Sequence, residues 1–130
     1  MTEAVVLDAW AVVEFLDDHG PAADRVERLL LDGPAALSIV NLGEIHYRTR
    51  RLHGEERAMA TVRRLEDVLR VIPADRDAVL AAARLKADFR MSYADAFAAS
   101  TAIALDATLW TGDPELLVED AAWRWEDLRG

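Results

Sequence analysis

Short apolar runs that stop at a carboxylate set the strongest limit on how this chain can fold. Ala4-Val5-Val6-Leu7 halts at Asp8, and Thr108-Leu109-Trp110-Thr111 is followed at once by Gly112-Asp113-Pro114. Runs this short, with no polar alternation, belong to strands covered on both faces. Between them apolar residues recur at helical intervals, as in Trp10, Val13 and Leu16, or Met59, Val62, Leu65 and Leu69. Strands alternating with helices imply crossover units, a parallel sheet and helices on both of its faces. The expected fold class is α/β: three layers around a mostly parallel sheet of four to five strands.

The punctuation of the chain places the elements. A helix over 9–17 is broken by Gly20-Pro21, and a second runs from Pro21 to about Leu31 before Gly33-Pro34 ends it. Residues 36–40 read as a strand. Asn41 then caps a third helix to about Leu52, closed by Gly54. A fourth helix covers 55–69, and 71–73 reads as an edge strand, because Pro73 cannot donate to a ladder. Helices over 75–89 and 92–105, a strand over 108–111, a helical turn over 114–117 and a last strand over 122–125 complete the order. The 130 residues contain no repeat or linker and support one domain, 1–130.

Composition removes several function classes. There is no cysteine, so thiol catalysis, disulfide scaffolding and thiolate zinc sites are excluded. No apolar run approaches the ~20 residues that span a bilayer, and Met1-Thr2-Glu3-Ala4 has an acid where a secretory signal is basic. A soluble, cytoplasmic protein with no membrane partner is expected. The formal charge of −9 argues against nonspecific nucleic-acid binding and suits a metal ion or a basic partner.

In open parallel sheets the functional crevice lies beyond the carboxyl ends of the strands. Asp8, Glu44, Asp95 and Asp113 all fall there, after the first strand, after the second, at the start of the sixth helix and after the 108–111 strand. Each has a plain capping explanation. Asn41-Leu42-Gly43-Glu44 and Ser92-Tyr93-Ala94-Asp95 match the capping box, Asp113 precedes a proline, and Asp8 can cap the first helix. Yet Asp95 is the one charged residue between Arg90 and Asp106, and Asp8 interrupts an apolar stretch from Ala4 to Val13. Carboxylates crowded in apolar surroundings repel unless a cation lies among them, and three or four hard oxygen ligands suit Mg²⁺ or Mn²⁺.

Four segments carry a family resemblance: Val6-Leu7-Asp8-Ala9-Trp10-Ala11, Ser38-Ile39-Val40-Asn41-Leu42-Gly43-Glu44, Ser92-Tyr93-Ala94-Asp95-Ala96-Phe97-Ala98-Ala99 and Leu109-Trp110-Thr111-Gly112-Asp113-Pro114. Their order and spacing resemble the acidic signatures of PIN domains, in particular the VapC toxins of bacterial type II toxin–antitoxin systems. The resemblance spans essentially the whole chain. It implies an Mg²⁺- or Mn²⁺-dependent endoribonuclease in which Asp8, Glu44, Asp95 and Asp113 are catalytic and hold the metal. It also implies a cognate VapB-type antitoxin and a homodimer. Thr111 matches a hydroxyl position near the last acid, and Glu115 is the candidate for a further acid. Trp10 is bulkier than the small or hydroxyl residue usual at its position.

Bound divalent ions activate water and neutralise phosphate charge, so phosphodiester hydrolysis needs no side-chain nucleophile. His19, His46 and His53 form no Ser–His–Asp arrangement and read as surface or groove residues, with His46 set apart by its closeness to Glu44. Arg48, Arg50 and Arg51, with Arg63 and Arg64, are solvated helix faces or a means of steering RNA toward the acids. Ile45, Tyr47, Leu52, Met59 and Val62 offer an apolar face for the core, a dimer or an antitoxin. Trp123 and Trp125 read as packing. A phosphoacceptor receiver domain would need a lysine after a late strand, but Lys86 is mid-helix. An Asp-x-Asp phosphatase would need an acid where Trp10 stands. A non-catalytic PIN-like module binding a basic peptide in its acidic groove is the remaining alternative.

Overall fold

The computed structural model describes residues 3–130, so Met1 and Thr2 of the N-terminal segment considered as a leader lie outside the described residues. The chain runs β1 (Val5–Leu7), α1 (Ala9–Leu16), α2 (Gly20–Asp32), β2 (Ala35–Ser38), α3 (Ile39–His53), α4 (Glu55–Val68), β3 (Leu69–Ile72), α5 (Arg76–Asp88), α6 (Tyr93–Ala104), β4 (Thr108–Thr111) and β5 (Arg124–Asp127). The five strands form one sheet in the order β3-β2-β1-β4-β5, and every pairing is parallel. The expected α/β class and three-layer plan hold.

Side-chain alternation along the short strands splits the core in two. Val5 and Leu7 of β1 face one way and join Leu37, Val26, Ile45 and Leu65 beneath α1 to α4. Val6 faces the other way and joins Leu109, Phe97 and the alanines of α6. Seven consecutive residues of α6, Ala96 to Ala102, are buried, so this helix is central, as its apolar sequence requires. The edge strand β5 alternates exposed and half-buried residues, the pattern of a strand with one dry face.

Three expectations shift. Helix α3 begins at Ile39 and not after Asn41, because Ser38 Oγ accepts the Val40 N–H at 3.2 Å and supplies the cap three residues earlier. The β-branched pair Ile39-Val40 looks like strand locally, but the helix absorbs it. Strand β3 starts at Leu69, earlier than expected, and pairs with the whole of β2. The last strand starts at Arg124, because Trp123 is buried with its Nε1 donating to the Leu116 carbonyl at 3.0 Å. Trp125 Nε1 likewise donates to Val118, so both tryptophans are packing groups. On α3 and α4, Ile45 and Val62 belong to the core, leaving Tyr47, Leu52 and Met59 exposed. Among the described residues no helix is long and apolar enough to cross a membrane.

Candidate functional site

The parallel order brings the ends of β1 and β4 side by side, with Leu7 paired to Trp110. Asp8 and the Thr111–Asp113 turn therefore leave the sheet at the same edge. Asp8 caps α1 by accepting the Ala11 N–H on Oδ1 at 2.8 Å, while its Oδ2 accepts the Thr111 hydroxyl. Thr111 Oγ1 in turn accepts the Asp113 N–H at 3.0 Å, which ties the two acids together through one hydroxyl. Asp113 Oδ1 accepts the Glu115 N–H at 3.0 Å. Capping and clustering are thus not alternatives for Asp8, which does both. Asp113 caps no helix and holds the turn over 114–116, which stands in place of the helical turn expected over 114–117.

Helices α3 and α6 bring the other two acids to this edge. Asp95 stands in the first turn of α6, where its N–H donates to Ser92 Oγ at 3.0 Å. Its carboxyl meets Asp113, as the two share a hydrogen bond. Glu44 lies in the second turn of α3, one turn deeper than expected, because α3 starts early. Asn41 is not a cap. It is fully buried, and its Nδ2 donates both to Glu44 Oε1 at 2.8 Å and to the Ala94 carbonyl at 3.1 Å. The amide so joins the second acid to the turn that carries the third.

Carboxylate oxygens of Asp95, Asp113 and Glu115 lie within 4.8 Å of one another, a spacing open to a single cation. Asp8 and Glu44 stand outside that triplet but within electrostatic reach of it. Burial pushes the Asp8 carboxyl from 3.8 up to about 7, with repulsion from Asp113 and Glu44 adding to it and the bonds from Thr111 and Ala11 opposing. Burial, the hydrogen bond with Asp113 and repulsion from Asp113, Asp8 and Glu44 raise Asp95 to about 8. Glu44 is also raised, chiefly by burial, against the pull of the Asn41 amide. Asp95, Asp113 and Glu115 form an all-oxygen donor set, and a divalent cation held there would relieve the repulsion that helps to raise Asp8, Glu44 and Asp95. The residues present fit Mg²⁺ or Mn²⁺.

A family model described as the PIN domain matches residues 5–121. The chain belongs to the PIN domain family. The chain is similar in fold to a DNA-bound VapBC of Salmonella typhimurium, with a TM-score of 0.77 at 18% identity over 98% of this chain and 99% of the other. A VapBC2 of Rickettsia felis bound to a promoter DNA fragment gives 0.76 at 18% identity over 95% and 98%. Mycobacterium tuberculosis VapC20, described as a Sarcin-Ricin loop cleaving toxin, gives 0.68 at 19% identity over 85% and 90%. None of the curated proteins matches the chain.

Two structural features of this PIN domain carry no local signal in the sequence. Asn41 reads there as a helix cap, and its bridging role needs Ala94, 53 positions away. Gly112 lies under Trp10. A Cβ built on it would sit 2.6 Å from Trp10 Cζ3 and closer still to Cη2 and Cζ2. The bulk of Trp10 is therefore matched by a residue with none in the turn that carries Asp113. The histidines stand apart from the acids: His46 Nε2 pairs with Glu55 at 2.7 Å and His19 Nδ1 with Glu14 at 2.6 Å, while His53 is exposed in the last turn of α3.

Proposed function

We propose that this PIN domain is a VapC-type toxin: an Mg²⁺- or Mn²⁺-dependent endoribonuclease of the cytoplasm, restrained by a VapB-type antitoxin and working as a homodimer. The observation that carries the reading is the meeting of Asp95, Asp113 and Glu115, with Asp8 and Glu44 beside them, at the carboxyl edge of the sheet. The fold likeness to VapBC complexes and to a toxin described as cleaving the Sarcin-Ricin loop supports it. An acidic site also favours a partner that brings a basic side chain to it.

In this reading Asp8, Glu44, Asp95 and Asp113 hold the cation, and Glu115 joins them. When bound, the cation supplies a water of lowered pKa and neutralises charge developing on the phosphate. The side chains do the rest. Thr111 and the Ala11 N–H fix both oxygens of Asp8 in one orientation, and Asn41 fixes Glu44. Burial and the neighbouring carboxylates favour a proton on Asp95, and a cation held there would favour its release, so affinity for the cation would rise with pH. Exposed Leu52 and Met59 on α3 and α4 offer apolar area for a partner or a second copy.

Purified chain incubated with RNA in Mn²⁺ should cleave it, and EDTA or Asp95→Asn should lower the rate at least a hundredfold. Cleavage that persists in EDTA and in both Asp95→Asn and Asp113→Asn would remove the assignment. Expression alone should arrest growth of a host cell, with rescue by the neighbouring open reading frame.

A further inference from the structure

A groove of about 490 Å³ lies between α1 and α3, with Glu44 among its lining residues. Its floor is apolar, including Ile45, and one wall is Trp10, whose ring is already pinned on Gly112. Along the rim stand Tyr47, Arg48 and Arg51. Tyr47 is 49% exposed, a large aromatic surface left open in the groove that Glu44 also lines. The Arg51 guanidinium lies 4.9 Å from the Tyr47 ring centroid, and among the described residues it has no carboxylate within ion-pair distance. Arg48 meets Asp17 at 3.2 Å in an exposed pair, which exchanges for another anion at little cost. Glu14, the other carboxylate of the groove, is taken by His19.

An aromatic face with a guanidinium stacked on it, beside a second arginine, is chemistry for a planar base joined to a phosphate. On a chain of formal charge −9, two arginines that share a groove with Glu44 are placed against the overall field. We propose that the α1–α3 groove is a subsite for one nucleotide of single-stranded RNA next to the bond that is cut. The base stacks on the Tyr47–Arg51 pair against Trp10, and Arg48 takes the adjoining phosphate. This inference rests on the ribonuclease reading above. It adds where the strand lies and which residues grip it.

The test uses a 5′-fluorescein random-sequence RNA 12-mer with wild type, Arg48→Ala/Arg51→Ala, Tyr47→Ala and Tyr47→Phe, each checked for folding by circular dichroism. Hydrolysis is measured in Mn²⁺ and binding by anisotropy in Ca²⁺. The double arginine variant should raise KM about tenfold or more with kcat within twofold. Its dependence of log(kcat/KM) on log salt should flatten by about 0.7 for each phosphate that is no longer neutralised. Tyr47→Ala should raise KM on the order of tenfold, and Tyr47→Phe, which keeps the ring face, should restore it. Folded variants with wild-type KM, Ca²⁺ binding and salt slope overturn the subsite and leave the groove to a protein segment. A wild type that binds the 12-mer through these residues but never cleaves it overturns the ribonuclease reading alone. A wild type that does neither overturns both.

Discussion

Replacing Asp8 by asparagine should stabilise the metal-free protein, and the gain should depend on pH in a defined way. Asp8 is 1% exposed, and its carboxyl is raised by burial first and by Asp113 and Glu44 second. Holding it at about 7 instead of its ordinary 3.8 costs the ionised form about 4 kcal/mol, at about 1.4 kcal/mol per pH unit. Because the folded chain binds this proton more tightly than the unfolded chain, the stability it contributes is complete below pH 3.8, falls as the pH rises, and is gone above about 7. Asparagine removes the charge, keeps an acceptor for Ala11, and can turn its Nδ2 toward Thr111 Oγ1. Urea melts in EDTA should show Asp8→Asn more stable than wild type by about 2–4 kcal/mol at pH 8, roughly 10 °C in Tm, with the gap closing toward pH 4.5. Saturating Mn²⁺ should narrow the gap at pH 8 by relieving the same repulsion in wild type. Equal stabilities at pH 8, or a gap that ignores pH, would overturn this account of the buried carboxyl.

Thr111→Val removes the hydroxyl that donates to Asp8 and accepts from Asp113, so the pH at which the Asp8 contribution is fully lost should move above about 7 in the variant, with a loss of about 1–3 kcal/mol read from melts across pH. Gly112→Ala drives a methyl into Trp10 and should destabilise by about 1–3 kcal/mol. Trp10→Leu in the same chain should recover more than half of that, and a double-mutant cycle by urea unfolding reads the coupling. Asn41→Leu cuts the link from Glu44 to the Ala94 carbonyl; calorimetric titration with Mn²⁺ should show affinity lowered about tenfold or more.

The alternation of elements, the parallel sheet and the edge at which function would gather are all legible in the linear chain. They follow from features that act over a few residues: the apolar run at 4–7, helical periodicity such as Met59 to Leu69, breakers at Gly20-Pro21 and Gly54, and carboxylates directly after strands. The four acids are legible for the same reason. Boundaries are less so: Asn41 reads as the cap and Ser38 as strand, and only the fit of α3 against β2 moves the cap to Ser38. Distance between residues far apart in the chain is settled only on folding. Sheet order sets Asp8 beside Thr111, and the meeting of α3 with α6 puts Asn41 on the Ala94 carbonyl. The same packing draws Glu115 to Asp95 while turning His46 toward Glu55. Burial, which lifts Asp8 so far above its ordinary range, is likewise set by every layer that closes over it, and no local pattern encodes that.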